Sequence, residues 1–103
     1  MRSTAPVQTA SGADRPRLAR HARLRFDPAR GQHVLLTPEA VTVLNGTGAA
    51  VLELCDGQRT VTEIVAELRG RYAHVDDDEV RLFVDRLAAR RCLEISDREV
   101  GRG

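Results

Sequence analysis

The chain has no lysine, only two cysteines and no long apolar run. Cys55 and Cys92 stand 37 positions apart, with no C-x-x-C pair and no Cys/His cluster at metal-ligand spacing. They read as reduced, buried thiols of a cytosolic protein. No stretch approaches the roughly 18 apolar residues of a membrane span. The N-terminus lacks the apolar core of a signal peptide, so a cytoplasmic protein without a membrane partner is expected. All sixteen basic residues are Arg, a usage that suits solvated helix faces as well as anion contacts. Convergent catalytic groups are missing too. His21, His33 and His74 fall on a loop, a strand and a turn, with no adjacent nucleophile and no clustered partners. Asp76, Asp77, Asp78 and Glu79 lack the loop spacing and central glycine of an EF-hand and read as the charged first turn of a helix. Neither an enzyme nor a cofactor or metal protein is expected.

What is present is the material of one small domain. With 103 residues and 42% hydrophobic content the chain can bury a single modest core. Residues 1 to 31 carry seven Arg against two Asp, and residues 32 to 103 carry nine Arg against thirteen acidic residues. A basic front therefore precedes an acidic body. Residues 1–16, rich in Ser, Thr, Ala, Gly and Pro, read as a flexible tail, residues 17–95 as the domain and residues 96–103 as a second polar tail.

The period-two run Arg23 to Asp27 predicts a strand with Leu24 and Phe26 inward. After the Pro28 to Gly31 turn, His33 to Thr37 predicts a second strand, ended by Pro38, and Val41 to Leu44 a third. Asn45 is placed to cap a first helix that Asp56-Gly57 stops. Thr60 with Glu63 forms a capping box for a second, whose stripe is Val61, Ile64, Val65, Leu68 and Tyr72. Asp76 with Glu79 repeats that signature for a third, running through Val80, Phe83, Val84 and Leu87 to Arg90 or Arg91. Cys92 to Ile95 reads as a short extended segment.

The fold class is α+β, a three-stranded antiparallel sheet followed by three helices in a winged helix-turn-helix-like order. That order brings a DNA-binding regulator into consideration, but four acidic residues at the start of the third helix oppose phosphate contacts. The sheet edge is the better candidate. A three-stranded sheet leaves an edge that a peptide covers by strand addition, with main-chain hydrogen bonds for affinity and side-chain pockets for specificity. If Val41 to Leu44 is that edge and the third helix packs beside it, Leu82, off the helix's main apolar stripe, forms the second wall with Arg86 and Ala89. The candidate peptide-binding set is Val41, Thr42, Val43, Leu44, Leu82, Arg86, Ala89 and Arg90.

Several motifs, in order, resemble those of the PqqD proteins of pyrroloquinoline quinone (PQQ) biosynthesis. They are Pro16-Arg17-Leu18, Arg23-Leu24-Arg25-Phe26-Asp27, Leu35-Leu36 with Pro38-Glu39, Leu44-Asn45, the helix end from Leu52 to Gly57, and the capped helix from Thr60 to Tyr72. Gly46 and Gly48 depart from the pattern at the first helix start. The resemblance implies a peptide chaperone, a recognition element for ribosomally made peptides, without a cofactor. It would bind the precursor peptide PqqA and deliver it to the radical SAM enzyme PqqE. It implies a leader peptide against the third strand and third helix, which coincides with the edge chosen above. A PQQ carrier, or a dimer formed through the N-terminal arm or paired edges, is the competing expectation.

Overall fold

The structure, a computed structural model, describes residues 12–96; the rest of both expected tails lies outside those residues. The described residues fold as five strands and three helices. These are β1 (Arg15–Leu18), β2 (Arg23–Asp27), β3 (Gln32–Leu36), β4 (Val41–Leu44), α1 (Gly46–Leu54), α2 (Val61–Arg69), α3 (Asp77–Ala89) and β5 (Leu93–Ser96). The strands form two antiparallel sheets, a meander β2-β3-β4 and a ribbon β1-β5. The α+β class, the meander and the three following helices are as expected from sequence. The strand β5 answers the extended segment expected from Cys92 to Ile95, whereas β1 and its pairing with β5 are an addition.

In the meander, Leu35 lies opposite Leu24 and Thr42, while Val34 lies opposite Arg25 and Val43. One face, with fully buried Leu35 and with Leu44, covers the core, and α1 packs against it. Phe26 departs from the expectation: it is 54% exposed and stacks edge-on against His33 at 5.1 Å instead of entering the core. Alternation puts Phe26 on the same face as Leu24, but near the end of the strand, opposite His33, which is itself only partly buried.

Asn45 caps α1, its Oδ1 accepting from the Gly48 N–H at 2.7 Å. A Cβ on Gly48 would lie 3.1 Å from that oxygen and 3.3 Å from the Phe83 ring, so the missing side chain lets α3 approach α1. The second glycine, unexpected in a helix start, is therefore a packing residue. Ala49, Ala50, Val51, Leu52 and Leu54 are all buried, as befits a helix enclosed on most sides. The α2 capping box forms as expected: Thr60 Oγ1 accepts from the Glu63 N–H, and Glu63 Oε1 from the Thr60 N–H. Val61, Ile64, Val65 and Leu68 are buried, whereas Tyr72 lies beyond the helix end and is exposed. Asp76 caps α3 by accepting from Asp78 N–H, and Glu79 makes no return bond, so the second capping box does not form.

The ribbon joins the two ends of the domain. The strand β1 begins at Arg15, ahead of the boundary expected at residue 17, and pairs with β5 from Arg15 opposite Ser96 to Leu18 opposite Leu93. Ala19 N–H donates to Cys92 O, so hydrogen-bonded pairs alternate at Ala19, Arg17 and Arg15. Pro16 falls between them, where its missing N–H breaks no bond to β5. On its other side the segment laces across the α1–α2 turn: Gly57 donates to Pro16 O, Val61 to Asp14 O and Thr62 to Gly12 O. Gly57 holds φ +80 against Arg17, which makes glycine the residue of choice there.

The end of α3 carries a testable strain. Cys92 N–H donates to Leu87 O and Arg91 N–H to Ala88 O, a Schellman closure whose left-handed position is held by Arg91 at φ 65. Arg91→Gly is expected to raise stability by about 1 kcal/mol, since a residue with a Cβ is penalised there; urea unfolding measures it.

Cys55 ends α1 with its thiol buried, and burial pushes its pKa from 9.0 up to about 12, with the nearby Asp56 adding to the effect. Below pH 9 the thiol is neutral in both folded and unfolded chains. Between about 9 and 12 only the unfolded chain loses the proton, so stability falls as pH rises, by up to about 1.4 kcal/mol per unit. Cys55→Ala is expected to flatten that decline in denaturant titrations. At pH 8, iodoacetamide is expected to alkylate Cys55 only after unfolding.

Candidate functional site

The strand β4 is one of the two edges of the meander, β2 being the other, and it is the one that lies beside α3. Its hydrogen-bonding pattern follows from the turn that precedes it. Thr37 and Ala40 exchange both backbone hydrogen bonds, at 3.0 and 3.4 Å. Antiparallel ladders alternate, so in the same register Thr42 and Leu44 bond to β3. The N–H and C=O groups of Val41 and Val43 therefore point away from β3, along the edge. Both Val side chains sit on the face opposite the core, Val41 59% and Val43 43% exposed. Such an edge is a template for another strand.

Beside this edge runs α3. Between them lies a groove of about 560 Å³ lined on one side by Val43, Leu44 and Asn45 and on the other by Glu79, Leu82, Phe83 and Arg86. Its floor is apolar, with Val51 and Val80 buried beneath it. Leu82 stands 49% exposed on the helix wall. The helix runs opposite to β4, because Phe83 meets Gly48, past the end of the strand, whereas Arg90 Nη2 donates to Thr42 Oγ1 at 3.2 Å. The arrangement is suited to holding an extended chain. Among the described residues no three His, Cys, Asp or Glu side chains are gathered to hold a metal ion, and no helix is long and apolar enough to cross a membrane.

Residues 32–93 match the family model described as coenzyme PQQ synthesis protein D. The chain belongs to the PqqD family. It is similar to the PqqA binding protein of Rhizobium meliloti (strain 1021), 39% identical over 95 residues that cover 89% of this chain and 97% of that one. It is similar also to the bifunctional coenzyme PQQ synthesis protein C/D of Methylorubrum extorquens, 41% identical over 89% of this chain and 26% of that protein. Among solved structures, the PqqD truncation of Methylobacterium extorquens PqqCD aligns with a TM-score of 0.66 at 42% identity, covering 82% of this chain and 94% of that one. That truncation is described as a functional, stand-alone recognition element for ribosomally synthesized and post-translationally modified peptides.

In this PqqD domain, Val43, Leu44, Leu82 and Arg86 of the sequence-based set line the groove. Thr42 faces inward and holds Arg90 across its end, and Val41 continues the edge on the outer face. Ala89 is exposed at the end of α3 and is not part of the lining. Sequence reasoning missed Asn45, Gly48, Glu79 and Phe83 as groove residues. The signal for two of them was available: Glu79, Leu82, Phe83, Arg86 and Arg90 follow helical spacing as a second stripe beside the core stripe of Val80, Val84 and Leu87.

Proposed function

We propose that this PqqD domain is a peptide chaperone of PQQ biosynthesis that binds the precursor peptide PqqA by strand addition to β4 and presents it to the radical SAM enzyme PqqE. The observation that carries the reading is the open β4 edge, with Val41 and Val43 offering their main-chain groups beside an apolar groove. The relatives named for PqqA binding support it. The peptide would complete the sheet while its inward side chains fill the groove against Leu82 and Phe83. The contribution to the reaction is proximity: a tethered substrate meets the modifying enzyme at raised effective concentration. The domain performs no chemistry itself and needs no cofactor, and its helices stand as a winged helix-turn-helix-like scaffold put to peptide binding.

An NMR titration with PqqA tests this. Amides of residues 41–44 and 82–90 are expected to shift together, and shifts confined to other surfaces would refute strand addition.

A further inference from the structure

The groove is charged unevenly along its length, and this bears on what it accepts. At the end near Thr42 stand Arg86 and Arg90, one helical turn apart on the same stripe. Among the described residues neither has a carboxylate partner; Arg17, Arg30, Arg59, Arg69 and Arg71 each have one and the other described arginines do not, but of the unpaired ones only Arg86 and Arg90 stand on the groove stripe. Like charges four residues apart oppose each other. The partial negative charge at the helix C-terminus offsets some of that repulsion, but it does not explain why both lie on the stripe that carries exposed Leu82. Toward the opposite end, beyond the contact of Phe83 with Gly48, the wall carries Glu79 and Asp76. Asp76 is engaged in capping Asp78, and Glu79 has no partner among the described residues.

We infer that the groove selects a peptide segment of defined polarity: carboxylates at the Arg86 and Arg90 end, apolar side chains over Leu82, and a neutral or basic residue at the Asp76 and Glu79 end. This deepens the strand-addition reading and rests on it. A segment laid the other way sets its carboxylates against Glu79 and leaves Arg86 and Arg90 without a counter-charge, so polarity fixes register as well as direction. The strand β4 runs from the basic end to the acidic one. A segment pairing antiparallel with it therefore bears its carboxylates toward its own C-terminus.

The test uses the full chain and PqqA carrying a nitroxide label at one end of its bound segment or the other. The label on the carboxylate-rich end is expected to broaden amides of Val41, Thr42 and Arg86 to Arg90, and the label on the other end those of Asn45 to Gly48 and Asp76 to Glu79. The reverse pattern overturns the polarity and leaves strand addition standing; no perturbation of either set overturns both. As a second arm, Arg86→Gln with Arg90→Gln is expected to lower affinity by about tenfold at low ionic strength and to flatten its salt dependence. Unchanged affinity and salt dependence in a folded variant also overturn the inference.

Discussion

Val43→Pro is expected to weaken PqqA binding by roughly thirtyfold while leaving the domain folded. The alternation set by the Thr37 and Ala40 pair aims the Val43 N–H along the open edge, so proline removes a donor that the fold does not use. An incoming strand then buries a carbonyl without its partner, at a cost of about 1 to 3 kcal/mol, and the ring obstructs its approach. About 2 kcal/mol corresponds to that thirtyfold loss. Two neighbouring substitutions set the contrast. Thr42→Pro removes a donor that bonds to β3 and is expected to lower stability as well as binding. Val43→Ala keeps the N–H and is expected to change affinity only a few-fold. Calorimetry, with an amide spectrum to verify the fold, measures all three, and equal affinities for Val43→Pro and the parent would exclude the β4 edge.

A chain beginning at Ala19 is expected to be less stable than one beginning at Gly12 by at least about 4 kcal/mol. The segment between them supplies β1, the bonds to Gly57, Val61 and Thr62, and fully buried Pro16. Each lost hydrogen bond contributes about 1 kcal/mol, and the uncovered core adds to the deficit. Domains of this size have only about 5 to 15 kcal/mol in total, so the shorter chain is expected to unfold near ambient temperature. Guanidinium unfolding of the two chains decides the point. Equal midpoints would mean that the ribbon decorates the fold without supporting it.

These expectations draw on different amounts of sequence information. The three helices were legible because caps and stripes act within one or two turns: Asn45, Thr60 and Asp76 mark the helix starts, and Val61, Ile64, Val65 and Leu68 mark a buried face. The same holds for the meander, whose turns at Pro28 to Gly31 and at Pro38-Glu39 are short. The second capping box failed because Asp76 and Glu79 have the right spacing but Asp76 took the nearer donor.

The ribbon was legible only in part. Cys92 to Ile95 read as an extended segment and forms β5, but its partner β1 comes from the opposite end of the chain and does not alternate strongly enough to announce a strand by itself. Phe26 misled for a related reason, since alternation assigns a face but not the length over which that face is covered.

By itself the sequence determined the local elements and pointed to the Val41 to Leu44 strand as the candidate edge, because each depends on residues near one another in the chain. Only the tertiary structure decided which main-chain groups that edge leaves open. It also set Glu79, Leu82, Phe83 and Arg86 opposite the edge and used Gly48 to bring Phe83 close to α1. Those facts depend on register and on packing between distant segments.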